Sequence, residues 1–311
     1  MIGNAVEVRI VCPECKGSLD FEAARIVCHA CSLEFRYEAG FPDLIIGDRF
    51  DDSANAERNR YEEECNEYTT RHYFIPTFKR IFSESSIARG RKPRLLSLGC
   101  GTGVDVDMLS DEGFEVYGID CGMRCTAWHN RRSARRLLLA NGMKLPFESG
   151  SFDLVYCGCV FPHVGAKGEA REVRPEYQQE RQAIASEMSR VLTPGGFALT
   201  SSPNRYFPLD IFHGRSDENP WPAVNMPGNP FLLSASDYRQ LFARAGCEAS
   251  RMLPVHGYWG FIRRKKSVKG ALTAYPLEAL FQSLSTPALS WLRGSPISPW
   301  LVMLMKKGVH W

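Results

Sequence analysis

Four cysteines near the start of the chain fall into two pairs, each with two residues between its members. Cys12 and Cys15 form the first pair, and Cys28 and Cys31 form the second after twelve intervening residues. Two such pairs can place four thiolates around one tetrahedral zinc ion, whereas unligated cysteines have no reason to adopt this spacing. Because four cysteine ligands leave no open position for water, we predict a structural Zn²⁺ and not a catalytic one.

Three glycines follow an apolar run in the segment LLSLGCGTG. Gly99, Gly101 and Gly103 lack the Cβ atoms that would keep a ligand away from the backbone. Asp120 ends the next apolar run, where a carboxylate can accept both hydroxyls of a ribose. The glycine spacing is one residue shorter than the dinucleotide pattern G-x-G-x-x-G, which argues against NAD. The residues therefore predict another adenosine cofactor.

Alternating strands and helices are needed to position these groups. The sequence predicts strands at PRLLSLG, FEVYGID, RRLLLA, SFDLVYC and GGFALTSSP, and helices over VDVDMLSD and YQQERQAIASEMSRVL, the latter stopped by Thr193–Gly196. Ser234 and Asp237 form a capping box before a further helix, and two late strands lie near CEASRML and WLVMLMKK. This order predicts a doubly wound, seven-stranded α/β sheet with its ligand at the C-terminal ends of the strands.

Composition excludes several classes of protein. The 311 residues are 44% hydrophobic and 23% charged, as in an ordinary globular protein, and the net charge of +3 does not require a nucleic-acid partner. The start of the chain lacks the pattern of a signal peptide, and there is no 18-residue apolar run to cross a membrane. We therefore expect a cytoplasmic protein whose eleven cysteines are metal ligands and free thiols.

Four motifs occur in the order and at the distances typical of one enzyme family: LLSLGCGTG, VYGID, LPFESGSFDLVYC and EMSRVLTPGGFAL. The segment from 95 to about 202 resembles the class I S-adenosylmethionine-dependent methyltransferases of the methyltransferase-11 type. The first 48 residues resemble Trm112-like zinc ribbons, whose G-[IF]-P-x-L ending is matched by Gly40–Leu44. The resemblance implies a Rossmann-like methyltransferase sheet preceded by a small β zinc ribbon, with S-adenosylmethionine as the cofactor.

The resemblance also implies which residues hold the cofactor: Gly99, Cys100, Gly101, Thr102, Gly103, Asp120, Cys121, Asn141, Gly142, Met143, Cys157 and Gly158. Ser97 departs from the family, which commonly has an acidic residue at that position. A serine cannot attract the positive ammonium or sulfonium of the cofactor. Either the affinity is lower than usual, or the charge comes from Asp105 or elsewhere.

The acceptor site is expected after the fourth and fifth strands. His163 is the first candidate for a general base and His213 the second, because imidazole titrates near neutral pH. The alternative is that His163 only shapes the pocket. Asn204, Arg205 and Tyr206 begin a loop over 203–232, rich in proline and aromatic residues, where they either contact the substrate or hold the loop itself.

We divide the chain into a zinc ribbon at 1–48, a helical connector or lid at 49–90, the methyltransferase core at 91–256, and an insertion with the last strand at 257–311. In the insertion Leu277, Leu280, Phe281 and Leu284 recur at helical spacing. This stripe faces either the core or a membrane surface that carries a lipid-linked acceptor.

The resulting hypothesis is methyl transfer to a small-molecule, lipid or glycan-precursor acceptor. One alternative is an rRNA or tRNA methyltransferase, since a zinc ribbon also precedes a family of rRNA guanine methyltransferases. No N-P-P-Y or [DN]-P-x-[FY] tetrapeptide follows the fourth strand to support that alternative. The other alternative is a cofactor-binding partner protein without catalysis.

Overall fold

The computed structural model describes residues 8–49, 56–166, 171–212, 223–226 and 228–309. Its strands are β1 Leu19–Phe21, β2 Ile26–Cys28, β3 Glu34–Glu38, β4 Phe41–Asp43, β5 Arg94–Leu98, β6 Glu115–Asp120, β7 Leu137–Leu139, β8 Phe152–Gly158, β9 Leu192–Pro203, β10 Leu209–Asp210, β11 Ala223–Val224, β12 Cys247–Met252 and β13 Trp300–Lys307. Its α-helices are α1 Ala56–Thr69, α2 Ile75–Glu84, α3 Val104–Asp111, α4 Val160–His163, α5 Tyr177–Val191, α6 Ala235–Arg244, α7 Ile262–Lys265 and α8 Val268–Ser285. A π-helical turn, Thr70–Phe74, joins α1 to α2, and 3₁₀ turns cover Met123–Asn130, Ala134–Arg136 and Pro287–Leu292.

The predicted doubly wound sheet is confirmed. Seven strands lie in the order β7-β6-β5-β8-β9-β13-β12, and β5 to β9 pair in parallel while β13 pairs antiparallel with β9 and β12. The middle strands are apolar on both faces, because helices cover the sheet on both sides and form a separate hydrophobic cluster on each. The C-terminal ends of β5 and β6 thereby bring the glycine loop beside Asp120.

The ribbon continues this sheet, which the sequence did not predict. β1 to β4 form an antiparallel meander, and β4 then pairs in parallel with β7, with Asp43 opposite Leu139. The backbone N–H of Leu44 donates to the carbonyl of Leu139 at 2.8 Å. A segment this short has little core of its own, and β7 would otherwise be an open sheet edge. The sheet therefore has eleven strands and runs through the whole ribbon.

The residues expected to stop helix α5, Thr193–Gly196, follow its end and lie within a strand. Helix α5 ends at Val191 and β9 begins at the next residue, Leu192. Phe152 of β8 pairs with Leu192 and Leu154 pairs with Phe197, so the four residues form an irregularity within the β8–β9 ladder. The capping box is confirmed, since the Ser234 N–H donates to Asp237 at 2.7 Å and the Asp237 N–H donates to the Ser234 hydroxyl at 3.2 Å.

The insertion before the last strand packs its leucine and phenylalanine stripe inward. Phe281 and Leu284 of α8 are buried, and the ring of Phe281 lies 5.6 Å from that of Phe261. The stripe therefore faces the core and not a membrane surface. No helix within the described ranges is long and apolar enough to cross a membrane.

Candidate functional site

The four paired cysteines meet at one point in the ribbon. Their sulfurs all lie within 4.8 Å of one another, with 3.7 Å between Cys12 and Cys31 and 3.4 Å between Cys15 and Cys28. A tetrahedral zinc with Zn–S bonds of about 2.3 Å holds its sulfurs about 3.8 Å apart. The cluster thus has the dimensions of a four-thiolate zinc centre.

The two knuckles that carry these cysteines have the same backbone geometry. Lys16 and Ser32 each follow the second cysteine of a pair, and each has a φ of 60°. The Lys16 N–H donates to the Cys12 carbonyl and the Ser32 N–H to the Cys28 carbonyl, both at 2.9 Å. A Cβ atom on Gly17 would lie 2.6 Å from that of Ala30, so the close packing of the two knuckles requires glycine there.

The glycine loop between β5 and α3 is fixed by its own backbone and by one tryptophan. The N–H groups of Gly99 and Cys100 both donate to the carbonyl of Ile119 at 2.9 Å, and Trp128 Nε1 donates to the carbonyl of Gly101 at 2.7 Å. Gly101 has a φ of 54°, in the left-handed region that favours glycine. A methyl group there would lie 3.7 Å from the Arg124 side chain, so the protein itself leaves room for a side chain at this position.

Asp120 joins the end of β6 to this loop. One carboxylate oxygen accepts from the Gly101 N–H at 2.8 Å, and the other accepts from the Gly122 N–H at 2.9 Å. The 3₁₀ turn Met123–Asn130 follows, with Gly122 as its N-cap residue. Asp120 and Gly101 are therefore in direct contact.

The remaining predicted cofactor residues surround the same edge of the sheet. The amide oxygen of Asn141 accepts from the Met143 N–H at 2.9 Å, and its Nδ2 donates to the carbonyl of Asp48 at 3.2 Å. Cys157 is buried at the end of β8, where burial raises the pKa of its thiol. A Cβ on Gly158 would lie 3.2 Å from the hydroxyl of Tyr258.

Asp105, the second residue of α3, has a carboxylate that lies against Ser97. Ser97 Oγ donates to Asp105 Oδ2 at 2.6 Å, and the Tyr156 hydroxyl donates to the same oxygen at 2.7 Å. Oδ1 is buried and has no hydrogen-bond partner within the described part of the chain. Burial raises the pKa of Asp105, against the lowering effect of the two hydroxyl donors. From the sequence alone, Asp105 is one possible source of the charge that Ser97 lacks.

Helix α1 lies over the glycine loop and is held there by ion pairs. Three consecutive glutamates each pair with a cation of a different segment: Glu62 with Arg124 at 3.0 Å, Glu63 with Arg131, and Glu64 with Lys266 at 3.1 Å. A Cβ atom on Gly101 would lie 3.7 Å from the Arg124 side chain and 4.0 Å from Asn66 Nδ2 of α1, so α1 lies close to this glycine.

The structure describes the first of the two candidate bases, His163, but not the second. His163 ends α4, just past β8, and its ring meets that of Phe231 edge-on with centroids 5.7 Å apart. It is partly buried in the loop region where an acceptor is expected. His213 lies outside the described residues, as does the stretch 213–222 of the expected acceptor loop.

The contacts of Asn204 and Arg205 support the view that they hold the loop together. Asn204 is fully buried, and its Nδ2 donates to the carbonyls of Ser295 and Ser298, both at 2.9 Å. Arg205 donates to the carbonyl of Leu232 at 2.8 Å and also pairs with Asp237 at 3.2 Å. Tyr206 is exposed, so of the three residues it is the one presented to a ligand.

Comparison with known proteins assigns the central part of the chain. Residues 96–200 match the methyltransferase-11 family model, described as a methyltransferase domain. A protein of Mycolicibacterium smegmatis named "Probable S-adenosylmethionine-dependent methyltransferase" is 30% identical over 169 residues. That match covers 52% of this chain and 55% of the relative, so the chain spans about half of the relative's length. Residues 96–200 are thus similar to the methyltransferase domains that this model describes.

Two solved structures show similarity over most of the chain. One chain from the complex between the Haloferax volcanii Trm112 methyltransferase activator and a methyltransferase is 16% identical. The TM-score is 0.49, over 82% of this chain and 95% of that one. Geranyl diphosphate C-methyltransferase from Streptomyces coelicolor A3(2) is also 16% identical, with a TM-score of 0.42 over 83% of this chain and 86% of that one.

Proposed function

We propose that this protein transfers a methyl group from S-adenosylmethionine to a small molecule or to a lipid- or glycan-linked precursor. The observation that carries the proposal is the bond between the Gly101 N–H and Asp120 at the C-terminal ends of adjacent parallel strands, within a methyltransferase domain. There a glycine backbone without a Cβ atom lies beside a carboxylate that would bind the ribose of an adenosine cofactor. Bound S-adenosylmethionine would supply an electrophilic methyl group on its sulfonium.

The chain's own residues would hold and align the reactants. Asp120 would accept the ribose hydroxyls, Asn141 and Met143 would lie against the adenine, and Gly158 would leave space near the sulfonium. His163 would remove a proton from the acceptor, since an in-line displacement needs mainly alignment and, for a hydroxyl acceptor, a base. His213 is the second candidate for that base.

The four-cysteine cluster would hold a structural zinc ion. Its dimensions fit four thiolates, and such a site has no open position for substrate or water. None of the eleven cysteines is in a disulfide, which supports the proposal of a reducing, cytoplasmic compartment.

One exposed face of α8 supports contact with a lipid surface. Val268, Leu272 and Tyr275 recur at helical spacing and are 81%, 71% and 62% exposed. Lys269 lies among them, whereas Lys265 and Lys266, just before them, pair with Glu278 and Glu64. Apolar side chains beside lysines fit the interface of an anionic bilayer, where a lipid-linked acceptor would be found.

Direct binding and transfer measurements test the proposed function. We expect the zinc-loaded protein to bind S-adenosylmethionine in calorimetry and to transfer a labelled methyl group into the lipid or small-molecule fraction of a cell extract. Absence of binding would remove both enzyme hypotheses, whereas label in the RNA fraction would favour the RNA methyltransferase alternative. Binding without transfer to any fraction would favour the non-catalytic partner.

A histidine variant tests the proposed base. His163→Ala is expected to lower the transfer rate about 100-fold or more without loss of cofactor binding, since general bases contribute on this scale. His29→Ala, at an exposed position of the ribbon, serves as the matched control. An unchanged rate in His163→Ala would show that His163 is not the base.

A further inference from the structure

A tyrosine hydroxyl from a distant segment lies at the C-terminal end of β8. Tyr258 belongs to the connection between β12 and β13, yet a Cβ atom on Gly158 would lie 3.2 Å from its hydroxyl oxygen and 4.0 Å from Ser201 Oγ. Gly158 is exposed, and Tyr258 keeps 3% of its surface exposed. Because Gly158 has no side chain, the surface that it exposes borders on the tyrosine hydroxyl.

Ser201 of β9 forms a hydroxyl pair with Tyr258. Ser201 lies opposite Gly158 in the β8–β9 ladder, and its Oγ is hydrogen-bonded to the Tyr258 hydroxyl. Within the described part of the chain, neither hydroxyl makes a second hydrogen bond. Two hydroxyls that share one hydrogen bond keep one more O–H group and free lone pairs. The pair can therefore both donate to a ligand and accept from it.

Packing against the π-helical turn fixes the position of Tyr258. Its ring lies 4.9 Å from that of Tyr73, and its backbone carbonyl accepts from the hydroxyl of Thr69. The preceding Gly257 has a φ of 85°, and a Cβ atom there would lie 2.6 Å from the carbonyl oxygen of His72. So close a contact between two backbones leaves little room for movement, which holds the hydroxyl at the end of β8.

The surroundings of the hydroxyl are apolar and uncharged. Burial raises the pKa of Tyr258, and the smaller opposing effect is the hydrogen bond from Ser201. The other groups that affect this pKa are the thiols of Cys159 and Cys157 and the hydroxyl of Tyr73. Tyr258 is thus a neutral donor and not a base at neutral pH. An ion is costly in such surroundings, whereas a neutral group that forms hydrogen bonds is not.

We propose that the Tyr258 hydroxyl, hydrogen-bonded to Ser201, binds a neutral hydroxyl group of the methyl acceptor beside Gly158. This inference rests on the proposed function, because it assigns one contact of that acceptor. It narrows the acceptor to molecules that carry a hydroxyl group near the atom to be methylated. It concerns recognition of the acceptor and not of S-adenosylmethionine.

Tyr258→Phe tests the contact, because it keeps the ring in its packing and removes only the hydroxyl. The measurement is transfer of labelled methyl groups at saturating S-adenosylmethionine into a dilution series of the lipid and small-molecule fractions of a cell extract. We expect the half-saturating amount of extract to rise about tenfold, because one hydrogen bond to the acceptor is lost. The maximal rate and the calorimetric affinity for S-adenosylmethionine should stay unchanged, since the contact serves acceptor binding.

Tyr238→Phe is the matched control. The Tyr238 hydroxyl donates to Ser202 at 2.9 Å, so the two tyrosines bind successive serines of β9. Successive side chains of a strand point to opposite faces of the sheet, and Tyr238 is fully buried in the hydrophobic cluster on the other face. This variant should keep the half-saturating amount of the wild type. Near-UV circular dichroism verifies that both variants are folded.

The outcomes are distinguishable. Equal half-saturating amounts in Tyr258→Phe and the wild type would overturn the inference, as would an equal rise in Tyr238→Phe. A lower affinity of Tyr258→Phe for S-adenosylmethionine would overturn it in favour of a cofactor contact, and a fall in the maximal rate alone would overturn the binding role. Absence of transfer by the wild type would instead overturn the proposed function, and this inference with it.

Discussion

Gly101 and Gly113 have the same backbone requirement but different surroundings. Both lie in the left-handed region, with φ of 54° and 92°, and a Cβ on either would meet no protein atom closer than 3.7 Å. Gly113 follows α3 and only ends that helix, whereas Gly101 lies in contact with Asp120. The conformational cost of alanine should therefore be similar at the two positions, while only Gly101 affects a ligand.

Gly101→Ala is expected to reduce affinity for S-adenosylmethionine about tenfold or more, since a methyl group stands where the ligand approaches the backbone. The loss of unfolding free energy should be about 1 kcal/mol for Gly101→Ala and also for the control Gly113→Ala, because each forces an L-residue into the left-handed region. Calorimetry and urea unfolding measure the two quantities. An equal loss of affinity in both variants would contradict the role of Gly101.

At the scale of elements, the ribbon is held against the core by more than the β4–β7 pairing. Val11 N–H donates to the carbonyl of Pro146 at 2.9 Å, and Lys16 Nζ reaches Glu187 of α5 at 3.1 Å. Glu187 also accepts from the Leu145 N–H at 2.7 Å. A substitution that destabilises the ribbon should therefore also destabilise the adjoining part of the sheet.

Loss of one cysteine ligand tests the zinc centre. Cys12→Ser is expected to bind less zinc than the about one ion per chain of the wild type. It should also lower the free energy of unfolding, because zinc binds the folded four-thiolate site and so stabilises the folded state. Since β4 continues into the main sheet, protection from hydrogen exchange should also fall in β7. Cys247→Ser in β12 is the control and should keep its zinc; unchanged metal content in Cys12→Ser would contradict the predicted ligand set.

The Glu187 contacts predict a pH dependence. Burial opposes ionisation of Glu187, but the hydrogen bonds and charges of Arg190 and Lys16 outweigh it and lower its pKa below the ordinary 4.5. The stabilisation that ionised Glu187 gives the folded state is therefore complete above its ordinary pKa of 4.5. It is lost as the pH falls through the lowered pKa of the folded state. Glu187→Gln should cost about 2 kcal/mol at pH 7 and progressively less in acid, as measured by urea unfolding.

A surface ion pair across the same contact serves as the control for Glu187. Glu14 pairs with Lys144, and both side chains are largely in solvent. Glu14→Gln should change the unfolding free energy by less than about 1 kcal/mol, because exposed pairs contribute little. Equal effects of the two substitutions at pH 7 would show that the buried contacts of Glu187 do not stabilise the junction.

For the whole molecule, the exposed apolar face of α8 is where the proposed contact with a lipid surface can be tested. Leu272→Gln is expected to weaken binding to vesicles that contain phosphatidylglycerol, because it removes apolar area from the contact. Leu33→Gln, at an exposed leucine of the ribbon, should leave vesicle binding unchanged. Sedimentation with these vesicles and with neutral phosphatidylcholine vesicles measures the effect. Failure of the wild type to bind the anionic vesicles would contradict the membrane proposal.

The sequence by itself determined the parts whose geometry depends on near neighbours in the chain. Two cysteine pairs are enough to predict two metal-binding turns. The glycine loop with Asp120 can be recognised from the sequence because its spacing follows from one strand–turn–helix–strand unit. The order of apolar runs likewise predicted the seven-stranded sheet, since each run had to be buried between helices.

The tertiary structure alone decided contacts between segments that lie far apart in the chain. The junction of β4 with β7 joins Asp43 to Leu139, and the amide of Asn204 is bound by carbonyls at 295 and 298. Packing also placed the Asp105 carboxylate against the hydroxyls of both Ser97 and Tyr156. Spacing in the sequence cannot specify such partners, because side-chain packing across the whole core selects them.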